Sequence, residues 1–246
     1  MFRKLQLSAI ILLFVCHTLS AGVFMKQKHH SDAVQMMGQT QPAKDFVETI
    51  WITEDGFRSD SEERSMIFDA KKKRMVIADH QNKTYHEMNM GQSPFPAGGE
   101  GGEDAAQFQN MMKNMMKMEI DVQPTSERKT IRGWDCKKYI LTITMAMGQF
   151  NQEIWATETL KVNTSLYEQF SAGMLLSMPG MQQAASQMEA EMKKIKGVQV
   201  QNISTNQVMG QTMKSTTELL EFKEGKAPAG LLKIPAGYKK QEMQGM

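Results

Sequence analysis

Tyr139-Ile140-Leu141-Thr142-Ile143-Thr144-Met145-Ala146-Met147 decides the fold. Tyr139, Leu141, Ile143, Met145 and Met147 alternate with Thr142 and Thr144 across nine residues. Successive side chains of an extended backbone point to opposite faces, so this period of two predicts a strand with one apolar face. Gly148 interrupts the pattern, and Phe150 to Thr157 supplies a hairpin partner.

Toward the N-terminus the same chemistry recurs in shorter pieces. Strands are predicted at Val23 to His30, Phe46 to Thr53, Phe57 to Asp60, Ser65 to Asp69, Arg74 to Ala78 and Thr84 to Met88. Glu54-Asp55-Gly56, Ala70 to Lys73 and Asp79 to Lys83 read as turns, which makes an antiparallel meander. Toward the C-terminus the strand pattern resumes at Glu119 and again at Val198 to Ile203 and Gln211 to Phe222. The chain closes on Leu231 to Tyr238.

Helical spacing is confined to inserts between the hairpins. Gly91 to Glu103 holds two prolines and five glycines, and predicts a flexible surface loop. Behind it Phe108, Met111, Met112 and Met115 recur at steps of three and four, with Asp104 placed to cap an amphipathic helix. Ser165 to Ser177 also reads as helical. Pro179 to Lys196 carries a stripe of Met181, Met188, Met192 and Ile195, a Glu189/Lys193 pair, and Gly197 as a stop. Helices inserted between hairpins, not alternating with single strands, argue against a parallel sheet. The expected fold class is therefore α+β, a curved antiparallel sheet with two to three helices packed on one face, in a single domain over 22–246.

The first residues carry the pattern of a secretion signal. Arg3 and Lys4 are basic, Ala9 to Cys16 is apolar, and Leu19-Ser20-Ala21 places small residues at a cleavage point. A run of eight residues is too short for a membrane span, which needs about twenty. A periplasmic location follows as the expectation, with 1–21 removed. The net charge of +2 points to neither nucleic acid nor an anionic membrane surface. Cys136 is the one cysteine beyond the signal, so no internal disulfide forms, and it is expected to be a small apolar core residue.

The residues offer no catalytic constellation and call for no cofactor. Asp and Glu fall in turns or on polar faces, and no GxSxG, HExxH or phosphate loop occurs. His29 and His30 are adjacent and so point to opposite faces of a strand; His80 and His86 flank a hairpin turn. All are read as surface or edge residues. Trp51, Trp134 and Trp155 are expected to pack in the core. Methionine is the unusual component, at 24 of 246 residues. Thioethers line adaptable apolar grooves, and they also ligate Cu(I). Met111, Met112 and Met115 are the candidate sulfurs for such a metal site.

Several landmarks in order resemble a known family. They are Trp51 with Asp55-Gly56-Phe57-Arg58, then Met66-Ile67-Phe68-Asp69 and Lys83-Thr84-Tyr85. Next come Ile131-Arg132-Gly133-Trp134-Asp135-Cys136-Lys137-Lys138-Tyr139 and Glu153-Ile154-Trp155-Ala156-Thr157. The last is Ile234-Pro235-Ala236-Gly237-Tyr238. Together they resemble a bacterial exported domain of unknown function, the DUF4412 family, which is similar to the LolA-like outer-membrane lipoprotein carriers. The resemblance implies an incomplete barrel around helices, with an apolar cavity that takes acyl chains in the better-known relatives, and it brings no catalytic residues. The leading expectation is a non-catalytic periplasmic protein that binds an apolar or amphiphilic, lipid-like ligand. Phe108, Met111, Met112, Met115, Met181, Met188 and Met192 would line its cavity. A Met-based copper binder and a structural partner of another envelope protein are the alternatives.

Overall fold

The computed structural model describes residues 21–36, 39–89, 118–145, 148–161, 182–208 and 211–242. The predicted signal, the 91–103 loop, and the helices expected at 104–118 and 165–177 lie outside these, apart from Ala21 and Met118, each of which begins a strand. The strands are β1 (Ala21–Ser31), β2 (Val34–Met36), β3 (Gln39–Gln41), β4 (Lys44–Thr53), β5 (Gly56–Asp60), β6 (Arg64–Asp69), β7 (Arg74–Asp79) and β8 (Thr84–Asn89). After them come β9 (Met118–Ile131), β10 (Trp134–Met145), β11 (Gly148–Thr157), β12 (Val198–Val208), β13 (Gln211–Lys226) and β14 (Lys239–Lys240). One helix, α1 (Gln182–Met192), is present among the described residues.

Twelve strands form one sheet, in the order β14-β8-β7-β6-β5-β4-β1-β13-β12-β11-β10-β9. Neighbours run antiparallel except at one end, where β14 adds to β8 in parallel. The centre joins the two ends of the chain, because β1 pairs with β13 from Ala21↔Lys226 to Ser31↔Ser215.

This corrects the expected α+β class. Among the described residues the molecule is mostly β with a single helix, and its large mixed sheet does not close into a barrel. The strands outran their sequence signals: β9 has 14 residues and β13 has 16, many of them polar. Such residues satisfy their backbone in the ladder without needing an apolar face. Of the helix expected over Pro179 to Lys196, Gln182–Met192 is helical among the described residues.

The quoted alternation is real. Tyr139 and Leu141 are buried with Ile120, Val122, Ile154 and Ala156, and Ile143 packs at the rim. Met188, Met192 and Ile195 lie against this cluster, so α1 covers the outer three strands of that face. The Tyr139 hydroxyl accepts a hydrogen bond from the Lys196 backbone at 3.2 Å and so anchors the end of the helical segment. Gly197 follows at φ 87°, where a Cβ would stand 2.0 Å from the Thr157 carbonyl oxygen, and only glycine fits. On the other face of β10, Cys136 is fully buried beside Trp155 in a second cluster with Val198, Val200 and Leu219. Trp134 packs at the edge of that cluster, and Trp51 packs at a tilt against Phe24, with ring centroids 5.3 Å apart.

The N-terminal meander has its own core of Ile52, Phe57, Phe68 and Met75. Asp69 and Asp79 each accept a backbone N–H three residues on, which shapes the two tight turns that follow them. The segment after β13 returns to the meander. Arg58, held by Asp60 at 2.7 Å, donates to the Leu231 and Lys233 carbonyls, and the Tyr238 hydroxyl lies 2.7 Å from His80 Nδ1. Arg58 thus holds the carbonyls just before the Ile234 to Tyr238 landmark, and Ser65 and His80 link it to Tyr238 itself, which makes one latch.

Candidate functional site

Four neighbouring strands, β4, β1, β13 and β12, line a pocket of about 370 Å³. Alternation presents Met25, Gln27 and His29 from β1, Glu48, Ile50 and Ile52 from β4, and Thr217 and Leu219 from β13 on this face. The register agrees, with Met25 opposite Ile50, Gln27 opposite Glu48 and Leu219, and His29 opposite Thr217.

Two irregularities bend the sheet here. The β1–β13 register passes from Lys26↔Glu221 to Gln27↔Leu219, which leaves Leu220 as an extra residue. The β11–β12 register passes from Trp155↔Gln201 to Ala156↔Gln199, which leaves Val200 over. Bulges kink a strand and increase its twist. A pocket bounded by one face of a continuous sheet requires such bending.

The lining is graded. Met25, Ile50, Ile52 and Leu219 make an apolar wall, and His29, Glu48, Gln27 and Thr217 make a polar end. At that end the Glu48 Oε2 is 3.1 Å from His29 Nε2, and Thr217 Oγ1 is 3.0 Å from His29 Nδ1. Ser59 donates to the other Glu48 oxygen. The imidazole stacks on Phe46, with centroids 4.5 Å apart and planes within 10°. Burial raises the Glu48 carboxyl, but hydrogen bonds from His29 and Ser59, with the nearby charges, outweigh it and hold the group below the usual carboxylate range. An ionised Glu48 only accepts, so His29 Nε2 carries a proton; in the neutral ring Thr217 then donates to Nδ1.

Hydroxyl, imidazole and carboxylate in a line suggest nucleophile, base and orienting group. Thr217, however, sits inside a ladder paired on one side with His29 and on the other with Asn202. Backbone N–H groups there are committed to neighbouring strands, whereas acyl transfer needs free donors aimed at a developing oxyanion. The arrangement suits recognition of a polar group better than attack on one.

Residues 33–238 match the family described as a domain of unknown function (DUF4412), which is more than half of the 246-residue chain. The chain belongs to this family. No curated protein matches it. The matched span of this DUF4412 chain takes in the pocket residues from β4, β12 and β13 and the Arg58–Tyr238 latch, while the β1 residues of the pocket precede it.

Of the residues expected to line a cavity, Met188 and Met192 pack on the β9–β11 cluster and are not part of the pocket wall. Phe108, Met111, Met112, Met115 and Met181 lie outside the described residues. The tryptophans do not line the pocket either. His30 is exposed between Asp45 and Asp32, as expected of a surface residue, and hydrogen bonds to those two carboxylates raise its pKa. His29 departs from that expectation, since it lies in a central strand with its side chain 21% exposed. Its partners are 19 and 188 residues away in sequence, so no local spacing announces the polar end.

Proposed function

We propose that this DUF4412 protein is an exported, non-catalytic binding protein for a small amphiphile. The observation that carries this reading is the graded pocket, with one apolar wall and one hydrogen-bonding end. Small-molecule sites occupy roughly 300–1,000 Å³. At about 370 Å³ the pocket suits a single short apolar chain with its head group, not a bundle of chains. An ionised Glu48 favours a head that donates hydrogen bonds, an amine or a hydroxyl, over a carboxylate. Export to the periplasm rests on Arg3, Lys4 and the apolar run from Ala9 to Cys16. Kinship with the LolA-like carriers belongs to the same proposal and is consistent with an apolar cargo. Among the described residues no helix is long and apolar enough to cross a membrane.

Calorimetric titration with an alkylamine, an alkanol and a fatty acid of one chain length tests the reading. The amine and the alcohol are expected to bind saturably and more tightly than the acid. Ile50→Trp, which fills the apolar wall, should weaken all three by at least about ten-fold, equivalent to about 1.4 kcal/mol. Absence of saturable binding by the wild type, or undiminished binding after Ile50→Trp, would sink the proposal.

A further inference from the structure

His86 presents a buried Nδ1 that has no hydrogen-bond partner among the described residues. An imidazole nitrogen shielded from water and left unpaired is costly, and a buried orphan of this kind calls for an explanation. Its surroundings supply one. Within β8, His86 and Met88 are two residues apart and point to the same face. Met88 lies directly opposite Met75 of β7, and His86 lies opposite Ile77. Met75 is a buried member of the meander core, against which Met88, Ile77 and Met66 pack. One sheet face therefore gathers two thioethers and an imidazole at adjacent positions. Directly opposed side chains have Cβ atoms about 5 Å apart, and diagonal ones about 7–8 Å. Both spans are within reach of Met and His side chains converging on one ion.

The donor set selects the metal. Two thioethers and one neutral imidazole carry no charge and are soft, which disfavours Mg²⁺, Ca²⁺ and Zn²⁺ and suits Cu(I) or its analogue Ag(I). Among the described residues no group of three or more His, Cys, Asp and Glu stands ready for a harder ion. The apolar surroundings of Ile77, Phe68 and Met66 would shield a monovalent ion from water and from oxidation.

We propose that Met75, Met88 and His86 form a Cu(I) site on the meander face. It lies on strands other than those that line the amphiphile pocket, and it does not depend on that reading. It also differs from the Met111, Met112 and Met115 cluster singled out by sequence.

The probe is Ag(I), which binds as Cu(I) does without redox chemistry. The full chain, carrying ¹³C-methyl methionine, is titrated and followed by NMR. Met75→Leu and Met88→Leu, both close in volume to the native residue, identify the two methyl signals. Those two signals are expected to shift saturably with one equivalent of Ag(I). Loss even of outer-shell support costs metal sites roughly 10–100-fold, so Met88→Leu and His86→Gln should each weaken binding by at least about ten-fold. A variant with Met111, Met112 and Met115 all changed to Leu should keep this binding. Shifts confined to other methionines would overturn the site, as would affinity unchanged in both Met88→Leu and His86→Gln. Affinity lost only in the triple variant would overturn it equally.

Discussion

Glu48 accepts hydrogen bonds from the His29 ring and the Ser59 hydroxyl while burial opposes its charge. Its folded pKa lies below the ordinary 4.5, so the unfolded chain binds the proton more readily. Stability from this group is then fully present above pH 4.5 and is lost as pH falls toward the folded value. Glu48→Gln should cost about 1–2 kcal/mol at neutral pH. It should also flatten the loss of stability as pH falls below 4.5, as read by thermal melts at successively lower pH. Equal acid sensitivity in wild type and variant would refute this role. None of it was legible in the sequence, where Glu48 reads as a polar residue of a strand. Alternation does place Glu48 with Ile50 and Ile52 on one face, but it cannot report that β13 arrives from the far end of the chain with Thr217. Cys136 is the opposite case: a lone small apolar residue in a strand was expected to be buried, and it is, with burial pushing its thiol pKa up.

The single described helix does more than cover apolar surface. Gln187 donates to the Ile120 carbonyl at 2.9 Å, and Glu191 accepts from the Val122 N–H at 2.7 Å. Those backbone groups belong to β9, the outermost strand on its side of the sheet. Open edges recruit other chains, and here two side chains take the place of a further strand. Glu191→Ala should therefore accelerate amide hydrogen exchange at Val122 while leaving exchange at Leu141, inside the sheet, unchanged. Equal rates at Val122 in wild type and variant would show that the cap contributes nothing. At this scale the sequence was informative wherever one face is apolar. The meander strands match their expected ends within a residue or two, whereas β10 begins at Trp134, five residues before the alternation that announces it. The last four residues of β13 are not legible in this way, because Lys223, Glu224 and Lys226 are exposed and carry no periodic signal. The strands run longer than their apolar signals, which is how a mostly β molecule comes to read as α+β.

The meander and the long strands are tied together by the segment that follows β13. Arg58 holds the Leu231 and Lys233 carbonyls, and His80 bridges Ser65 and Tyr238. Tyr238→Phe should cost about 1 kcal/mol. It should also hasten cleavage within residues 227–242 in limited proteolysis, with the sheet core still resistant. Unaltered cleavage there would mean that β14 alone holds the tail. The latch is half legible in the sequence, since Arg58 and Tyr238 both fall in landmarks of the family, but only the folded chain shows Ser65 and His80 linking them. The central pairing of β1 with β13 has a consequence in time. Strands β4 to β8 join sequence neighbours and can assemble early, whereas Ala21 must wait for Lys226 before the middle of the sheet exists. Pairings so remote along the chain form slowly, because loop-closure entropy is lost before any contact offsets it. Until β13 is available the polypeptide cannot complete its fold, so a nascent or threaded chain pairs its meander while one side of β1 stays open until Lys226 has arrived.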